Sequence, residues 1–370
     1  MGKIFALIGL AIWLLKADCS LAQTGQSQSL EWEKIVEAGK KEGKVVAAIP
    51  PSPELRKAME LAFTRRYGIV PEFVPARGGA IIQRMIDEAK AGVQYFDLHI
   101  GGTESIVSGL LPANILDPAE AYFVLPEVKD QKRWWGGPIW IDNAKRFVYA
   151  FVAYQTVSLW SNPNEYKPSD FRSFDDLLSP KLQGRIGISD PRTPGSGSSM
   201  WSYMLYIKGE EYLKKLVGQK LFVTRDLRLL GENLAKGKIA ITSGIGYSEL
   251  LPFIKANLPI APLSVPKEGL YATGGYGHLI IFKNPPHPNA TKVFVNWLLS
   301  RDGQELFSRA MGVGTRRLDV DTKWLKDFGV IAAKDGLTLE QYYKFENQSE
   351  EKIYKIREPG AAIARKLLGS

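Results

Sequence analysis

The sequence has few of the residues on which exported proteins and enzymes often depend. Among its 370 residues there are one cysteine and three histidines. The cysteine, Cys19, falls in an N-terminal leader, so a chain that has lost the leader can form no disulfide. The sequence also lacks H-E-x-x-H, a P-loop and a G-x-S-x-G elbow, since Gly195-Ser196-Gly197 has the wrong spacing. These absences argue against the common zinc, nucleotide-hydrolysing and serine-hydrolase sites.

Long hydrophobic runs are also missing. The longest opens the chain, where Lys3 precedes an apolar stretch from Ile4 to Leu15, which is too short to span a bilayer. Small residues at Ser20 and Ala22 complete the pattern of a secretory signal peptide over residues 1–22. A lipid anchor on Cys19 is the alternative, although the polar residues before it do not suit a lipobox.

The charge balance is basic. The formal net charge is +9, and removal of residues 1–22 leaves +8. The basic residues are spread along the chain rather than clustered, which argues against nucleic acid as a partner and leaves anionic ligands or an anionic membrane face. Export without disulfides favours a bacterial periplasm over a eukaryotic secretory route.

The N-terminal half of the chain alternates strands and helices. Apolar strand-like runs at 44–49, 69–74 and 95–100 are separated by helical patterns at 54–67 and 80–91. This order predicts a parallel sheet with helices on both faces, which is an α/β fold. A long Trp- and Pro-rich connection follows before the alternation resumes.

The same alternation predicts two lobes. We expect lobe 1 to comprise residues 30–148 and 277–318, and lobe 2 residues 158–275. Extended runs at 149–157 and about 276–280 are the expected hinge strands, and residues 319–370 the expected C-terminal helical extension. The chain length suits two domains.

The order of several stretches resembles a known family. They include VVAAIPPSPELRKAMELAFTRRYGI, FDLHIGGTESIVSGLL, FDDLLSPKLQGRIGISDP, NLAKGKIAITSGIGY and the helix pair ending in MGVGTRR, and together they cover roughly residues 44–318. The chain resembles periplasmic solute-binding proteins of ABC importers, close to the ferric-iron binders. The resemblance implies a two-lobed type II fold with two crossover strands, a permease in the inner membrane as partner, and no enzymatic activity. We also expect a monomer without a cofactor.

The resemblance also implies an anion-binding loop in ISDPRTPGSGSSMW, residues 188–201. Ser196, Gly197 and Ser198 match that loop, where amides at a helix start bind an anion. Arg192 could grip a carboxylate or phosphate with its planar fork, so Arg192→Ala is expected to weaken binding about tenfold. The alternative is that one serine only caps the helix.

Other candidates follow predicted strands, where ligands settle in open α/β sheets. They are Ser52, Thr103 and Tyr247, each of which could equally be an ordinary turn residue. Arg77 precedes a helix as a further anion candidate, and Tyr276 lies near a predicted crossing, where it could stack on a ring.

The sequence leaves the solute open. Iron binders of the resembled family carry a Tyr-Tyr pair where this chain has Ile245 and Gly246, so that only Tyr247 is near. A small anion, such as a carboxylate, phosphate ester or phosphonate, suits the retained loop better than Fe³⁺, which needs several anionic oxygens. Ferric iron stays as the alternative solute, and an exported hydrolase as the alternative class.

Overall fold

The computed structural model describes residues 29–76, 79–156 and 158–369, and the predicted signal peptide lies outside them. The strands are β1 Lys44–Ile49, β2 Val70–Pro75, β3 Leu98–Gly101, β4 Leu116–Asp117, β5 Tyr149–Ala150, β6 Tyr154–Thr156, β7 Leu159–Ser161, β8 Ile186–Ser189, β9 Phe222–Thr224, β10 Ile241–Ser243, β11 Ala261–Pro262, β12 Tyr271–Thr273, β13 His278–Phe282 and β14 Val330–Ala332.

The α-helices are α1 29–42, α2 Pro53–Tyr67, α3 Gly79–Lys90, α4 Thr103–Ser105, α5 Pro126–Lys129, α6 Ser196–Lys208, α7 Glu210–Val217, α8 Leu227–Ala235, α9 Tyr247–Lys255, α10 Pro288–Leu299, α11 Arg301–Met311, α12 Ala333–Gly336, α13 Leu339–Phe345, α14 Glu350–Lys352 and α15 Glu358–Leu368. Helix α4 continues as a π-helical turn, Ile106–Leu110, and a second π turn, Ile353–Arg357, joins α14 to α15.

Lobe 1 is built on the sheet β2-β1-β3-β13-β4, with β5 also paired to β13. The first three strands are parallel, as the alternating pattern predicts, and β13 returns antiparallel to β3. Alternate residues of β1 enter different cores: Val45 and Ile49 pack on one face of the sheet, and Val46 and Ala48 on the other. Burial on both faces explains why β1 reads as an unbroken apolar run.

Lobe 2 is built on the sheet β11-β7-β10-β8-β9. Strands β8, β9 and β10 are parallel to one another, whereas β7 is antiparallel to β10. The carboxyl ends of β8 and β10 therefore lie side by side, and the segments that follow them begin α6 and α9. This arrangement brings two helix starts of lobe 2 to one edge of its sheet.

The lobes are joined by a small third sheet of order β12-β6-β14. Strand β6 lies within the expected hinge at 149–157, but the second crossing strand is β12, Tyr271–Thr273, rather than residues at about 276–280. The run from Tyr271 to Phe282 contains two strands with a glycine-rich turn between them. The sequence alone therefore places the second crossing strand at a position after β12. The later strand is β13 in the middle of lobe 1.

The C-terminal tail, residues 319–369, is more than a helical extension. It supplies β14 as a third strand of the joining sheet, paired with β6. Its Tyr342 and Ile353 are buried in a core of lobe 1, whereas Ala364 of α15 is buried in the core of lobe 2. The tail therefore packs on both lobes.

Within the described part of the chain, no helix is both long enough and apolar enough to cross a membrane.

Candidate functional site

A cavity lies where the two lobes, the joining sheet and the C-terminal tail meet. Lobe 1 contributes the start of α4, lobe 2 the starts of α6 and α9, and the tail contributes Gln348 and Arg357. The cavity volume is about 120 Å³. This is several times the space that one water molecule needs. A cleft between two lobes is a usual place for a small-molecule site.

The start of α6 packs directly against the end of β8. At Gly197, a β-carbon would collide with the backbone carbonyl oxygen of Ser189 and would lie 3.0 Å from the Ser189 side chain. Only glycine fits this close approach. The small residues of this loop therefore bring the first turn of α6 onto the strand end, so that its amides face the region between the lobes.

Two helices begin at the cavity without a side-chain cap. Gly195 precedes α6 and Gly102 precedes α4, and neither can place a side-chain oxygen on the first turn. The first amides of a helix have no partner within it and carry partial positive charge. By contrast, the Glu249 carboxylate accepts the Gly246 N–H at the start of α9, at 3.2 Å. The uncapped starts, one from each lobe, favour an anion between them.

The hydroxyl protons of Ser196, Ser198 and Thr103 are already used within the protein. Ser196 Oγ donates to the Gly244 carbonyl at 2.5 Å, and Ser198 Oγ donates to Glu104 at 3.1 Å. Thr103 Oγ1 donates to the side-chain oxygen of Gln348. A bound anion would thus meet backbone amides here rather than these hydroxyl protons.

The charged group that the tail brings to the cavity is Arg357. It is 2% exposed and donates through Nη2 to the Glu104 carboxylate and, at 3.2 Å, to the Gly195 carbonyl. Among the described residues its Nε, which is itself buried, has no hydrogen-bond partner. A buried guanidinium nitrogen without a partner is unfavourable. Arg357 thus sits beside the start of α6 with hydrogen-bonding capacity to spare.

The structure does not bring Arg192 to the cavity. Its guanidinium makes two bonds to Asp190, at 2.8 and 3.0 Å, and a third to the Gly369 carbonyl at 3.0 Å. Burial pushes the pKa of Asp190 up, but the bonds from Arg192 and Arg225 outweigh it and hold that pKa below its ordinary value. Arg192 fastens the end of α15 to lobe 2.

Of the other residues predicted to bind the solute, four line the cavity and Ser52 does not. Thr103, Ser196, Tyr247 and Tyr276 line the cavity. Ser52 instead caps α2 by accepting the Leu55 N–H at 3.2 Å.

Two residues of the predicted loop lie just behind the cavity lining. Gly197 and Ser198 are both buried at the start of α6. Arg77 lies outside the described residues. Many of the residues that line the cavity thus come from loops that the sequence singles out, and the others come from α3, β3, β7, the end of α11, the joining sheet and the tail.

The buried imidazoles near the cavity are uncharged at neutral pH. Burial lowers the pKa of His99, which lines the cavity, to about 4, and has the same effect on His278. The charged side chains that line the cavity, among the described residues, are Arg357, Glu104 and Glu249. Arg357 and Glu104 neutralise each other, and Glu249 is bonded to the start of α9, so the partial positive charge available to a solute is that of the starts of α4 and α6.

Among the described residues, no group of three or more His, Cys, Asp and Glu side chains is arranged to hold a metal ion. Tyr247, the one tyrosine near the position of the iron binders' pair, packs edge-to-face with Phe328, with ring centroids 4.6 Å apart. Burial raises the pKa of Tyr247, which disfavours the phenolate form that a ferric ion prefers.

Sequence reasoning missed Glu104 as a partner, Gln348 and Arg357. Arg357 lies in a stretch of alternating charges that reads as a solvent-exposed helix. Its partner Glu104 is 253 residues earlier in the chain, so no local pattern links them. Their one available signal is that both belong to segments with small or apolar neighbours on one face.

Comparison with known proteins agrees with this architecture. Residues 134–312 match the family described as bacterial extracellular solute-binding protein. A protein of Haemophilus influenzae described as uncharacterized is 31% identical over 140 residues, which are 36% of this chain and 39% of that protein. The match therefore spans less than half of this relative.

Solved structures show the fold. The iron-bound HitA from Pseudomonas aeruginosa has a TM-score of 0.63 at 16% identity and covers 88% of this chain and 99% of its own. AfuA from Actinobacillus pleuropneumoniae, with exogenous fructose-6-phosphate bound, has a TM-score of 0.64 at 18% identity over 87% of this chain and 99% of its own. An ABC-transporter substrate-binding protein from Agrobacterium tumefaciens has a TM-score of 0.65 at 17% identity, with 87% and 95% covered.

These similarities establish the fold class of the chain. The fold is that of the two-lobed, type II periplasmic binding proteins. The match over residues 134–312 then confirms the resemblance inferred from the sequence, to the bacterial extracellular solute-binding proteins.

Proposed function

We propose that this chain is the substrate-binding component of an ABC importer. It works in the periplasm, binds a small anionic solute between its lobes and delivers the solute to a permease in the inner membrane. The solute is a carboxylate, a phosphate ester or a phosphonate. Neither a cofactor nor a bond-breaking step is part of this role, and the protein acts as a monomer.

One observation carries the proposal. The uncapped starts of α4 and α6 come from different lobes and meet at the same cavity. An anion held between them gains the dipoles of both helices only when the lobes are closed. Binding therefore shifts an open–closed equilibrium toward the closed form, which is the form that a permease can distinguish.

The energy required is modest. Micromolar affinity corresponds to about 8 kcal/mol. Burial of a small solute together with several charge-assisted hydrogen bonds from amides can supply this. The starts of α4 and α6 offer such amides without any movement of the hydroxyls of Ser196 and Thr103.

The test is native mass spectrometry of the protein purified without refolding. We expect a bound small molecule with at least one acidic group, released on mild unfolding and returned with a gain in thermal stability but no turnover. Turnover of the returned molecule would favour the exported hydrolase instead. A neutral compound, or ferric iron without an accompanying organic anion, would contradict the proposed solute.

A further inference from the structure

Arg357 is the cationic side chain that lines the cavity among the described residues. It belongs to the π turn Ile353–Arg357, which α15 continues. Helix α15 holds this turn in place by packing on α6. Gly360 lies so close to Ser202 that any β-carbon would collide with the Ser202 hydroxyl, and Ala364 is fully buried. The position of Arg357 is therefore fixed from both lobes, since Ile353 of the same turn is buried in a core of lobe 1.

The hydrogen bonds of this guanidinium are incomplete. Nη2 donates to Glu104 and to the Gly195 carbonyl, while Nε has no partner. Arginine grips carboxylate and phosphate oxygens best with two adjacent nitrogens. In the present arrangement Glu104 accepts from only one guanidinium nitrogen, Nη2.

Glu104 reaches Arg357 from the other lobe. It lies in the first turn of α4 and accepts the Ser198 hydroxyl as well as Arg357, so its carboxylate bridges lobe 1, the start of α6 and the tail. A carboxylate at the start of α6 occupies the electrostatic environment that suits a solute anion. Glu104 is thus a negatively charged group of the protein that lies beside the position predicted for the solute anion.

We propose that Arg357 recognises the anionic group of the solute, and that Glu104 is the internal counter-ion with which this group competes. The inference rests on the anionic solute proposed above. In the absence of solute, Glu104 keeps the buried guanidinium paired. When solute is present, its oxygens share or replace Glu104 at Nη2. Arg357 then discriminates between solutes with and without an acidic group.

Charge-neutral substitutions test this assignment in the full chain. The probes are inorganic phosphate, citrate and fructose 6-phosphate, each titrated by calorimetry and by thermal shift. We expect Arg357→Gln to weaken binding of the best probe by about ten- to a hundredfold, as for loss of a charge-assisted hydrogen bond. Glu104→Gln should strengthen it by about three- to tenfold, since a competing negative charge is removed.

The sign of the Glu104→Gln effect separates the two possible roles of this carboxylate. If Glu104 merely held the site together, its loss would weaken binding. Arg192→Gln is the matched control, because that arginine lies at the same helix but away from the cavity. Its affinity should stay within about twofold of wild type.

The outcomes distinguish the two levels of the proposal. Wild-type protein that binds none of the three probes overturns the anionic solute and Arg357 with it. Wild-type binding that Arg357→Gln leaves unchanged overturns only the assignment of Arg357. Should Arg357→Gln fail to fold because Glu104 is left unpaired, the double variant Glu104→Gln/Arg357→Gln replaces the ion pair by two amides. Retained anion affinity in that double variant equally refutes the role of Arg357.

Discussion

Arg192 and Arg357 both lie beside the start of α6, but they come from different regions and have different surroundings. Arg192 belongs to the loop that the sequence singles out, and Asp190 and the end of α15 satisfy its guanidinium. Arg357 comes from the tail, lines the cavity and has an Nε without a partner. A loop motif therefore identifies where the proposed anion site lies without identifying the side chain proposed to complete it.

The strongest way to break this comparison is to displace the tail. In Gly360→Leu the new side chain collides with Ser202 and pushes α15 away from α6. We expect phosphate or sugar-phosphate affinity to fall at least about tenfold, with overpacking costing about 1–3 kcal/mol of stability. Calorimetry and thermal denaturation measure the two effects.

The neighbouring Ala362→Leu provides the control for that experiment. Ala362 is on the exposed side of α15, so a leucine there adds the same bulk without a collision. Equal losses of affinity in the two variants would mean that the position of the tail does not matter for binding.

The folded protein should lose stability in acid. This loss limits the pH range in which variants of Arg192 and Arg357 can be compared. The pKa of both His99 and His278 is about 4 in the folded protein and 6.5 when exposed. The unfolded chain therefore takes up protons first, and stability falls as the pH drops from about 6.5 toward 4. Denaturant midpoints measured at pH 7 and pH 5 should decrease accordingly.

His278→Gln should flatten this pH dependence, because one of the two titrating imidazoles is gone. Asp97 acts in the opposite direction, since burial raises its pKa despite hydrogen bonds from Val46 and His287. A midpoint that is constant between pH 7 and pH 5 in the wild type would show that the imidazoles are not buried as described.

Arg192→Gln should separate stability from binding. We expect a loss of about 1–2 kcal/mol, because the buried Asp190 keeps Arg225 but loses two bonds. The pKa of Asp190 is held below its ordinary 3.8, so the contribution of Arg192 is complete above about pH 4 and is lost as the pH falls through the folded value. Urea titrations at pH 7 and pH 3 of both proteins test this.

That variant also revises the effect expected from the sequence alone. A tenfold loss of anion affinity in Arg192→Gln, without loss of stability, would restore Arg192 to the site and remove the contrast with Arg357.

The smallest effect is expected for Ser196→Ala. The Ser196 hydroxyl donates to the Gly244 carbonyl, so its removal should cost about 1 kcal/mol of stability and change anion affinity less than twofold. Calorimetry decides whether the amides of α6 suffice. A tenfold weaker affinity would show that the hydroxyl reorients toward the solute.

Local patterns account for much of the fold. Strand β1 is buried on both faces and reads as an apolar run, and α2 reads clearly because Ser52 caps it and Gly68 ends it. The approach of Gly197 to Ser189 likewise makes small residues obligatory in a loop that the sequence marks as special. Each of these features depends on residues that are close together in the chain.

Features that depend on distant residues could not be predicted in this way. Strand β14 joins β6 across nearly half of the sequence, and its three residues carry no pattern of their own. Hydroxyl directions at Ser196 and Thr103 depend on acceptors in other segments. The Glu104–Arg357 pair is the extreme case, since only the folded chain brings together a lobe 1 helix and the tail.

The late position of Arg357 in the chain has a consequence for biogenesis. A nascent chain emerges from its N-terminus, and domains tend to fold in that order. The sheets of lobe 1 and lobe 2, which end with β13, can form while the last helices are still being synthesised. On the role proposed for Arg357, solute binding becomes possible only after α15 has docked, so a prematurely terminated product would be partly folded and yet unable to bind solute.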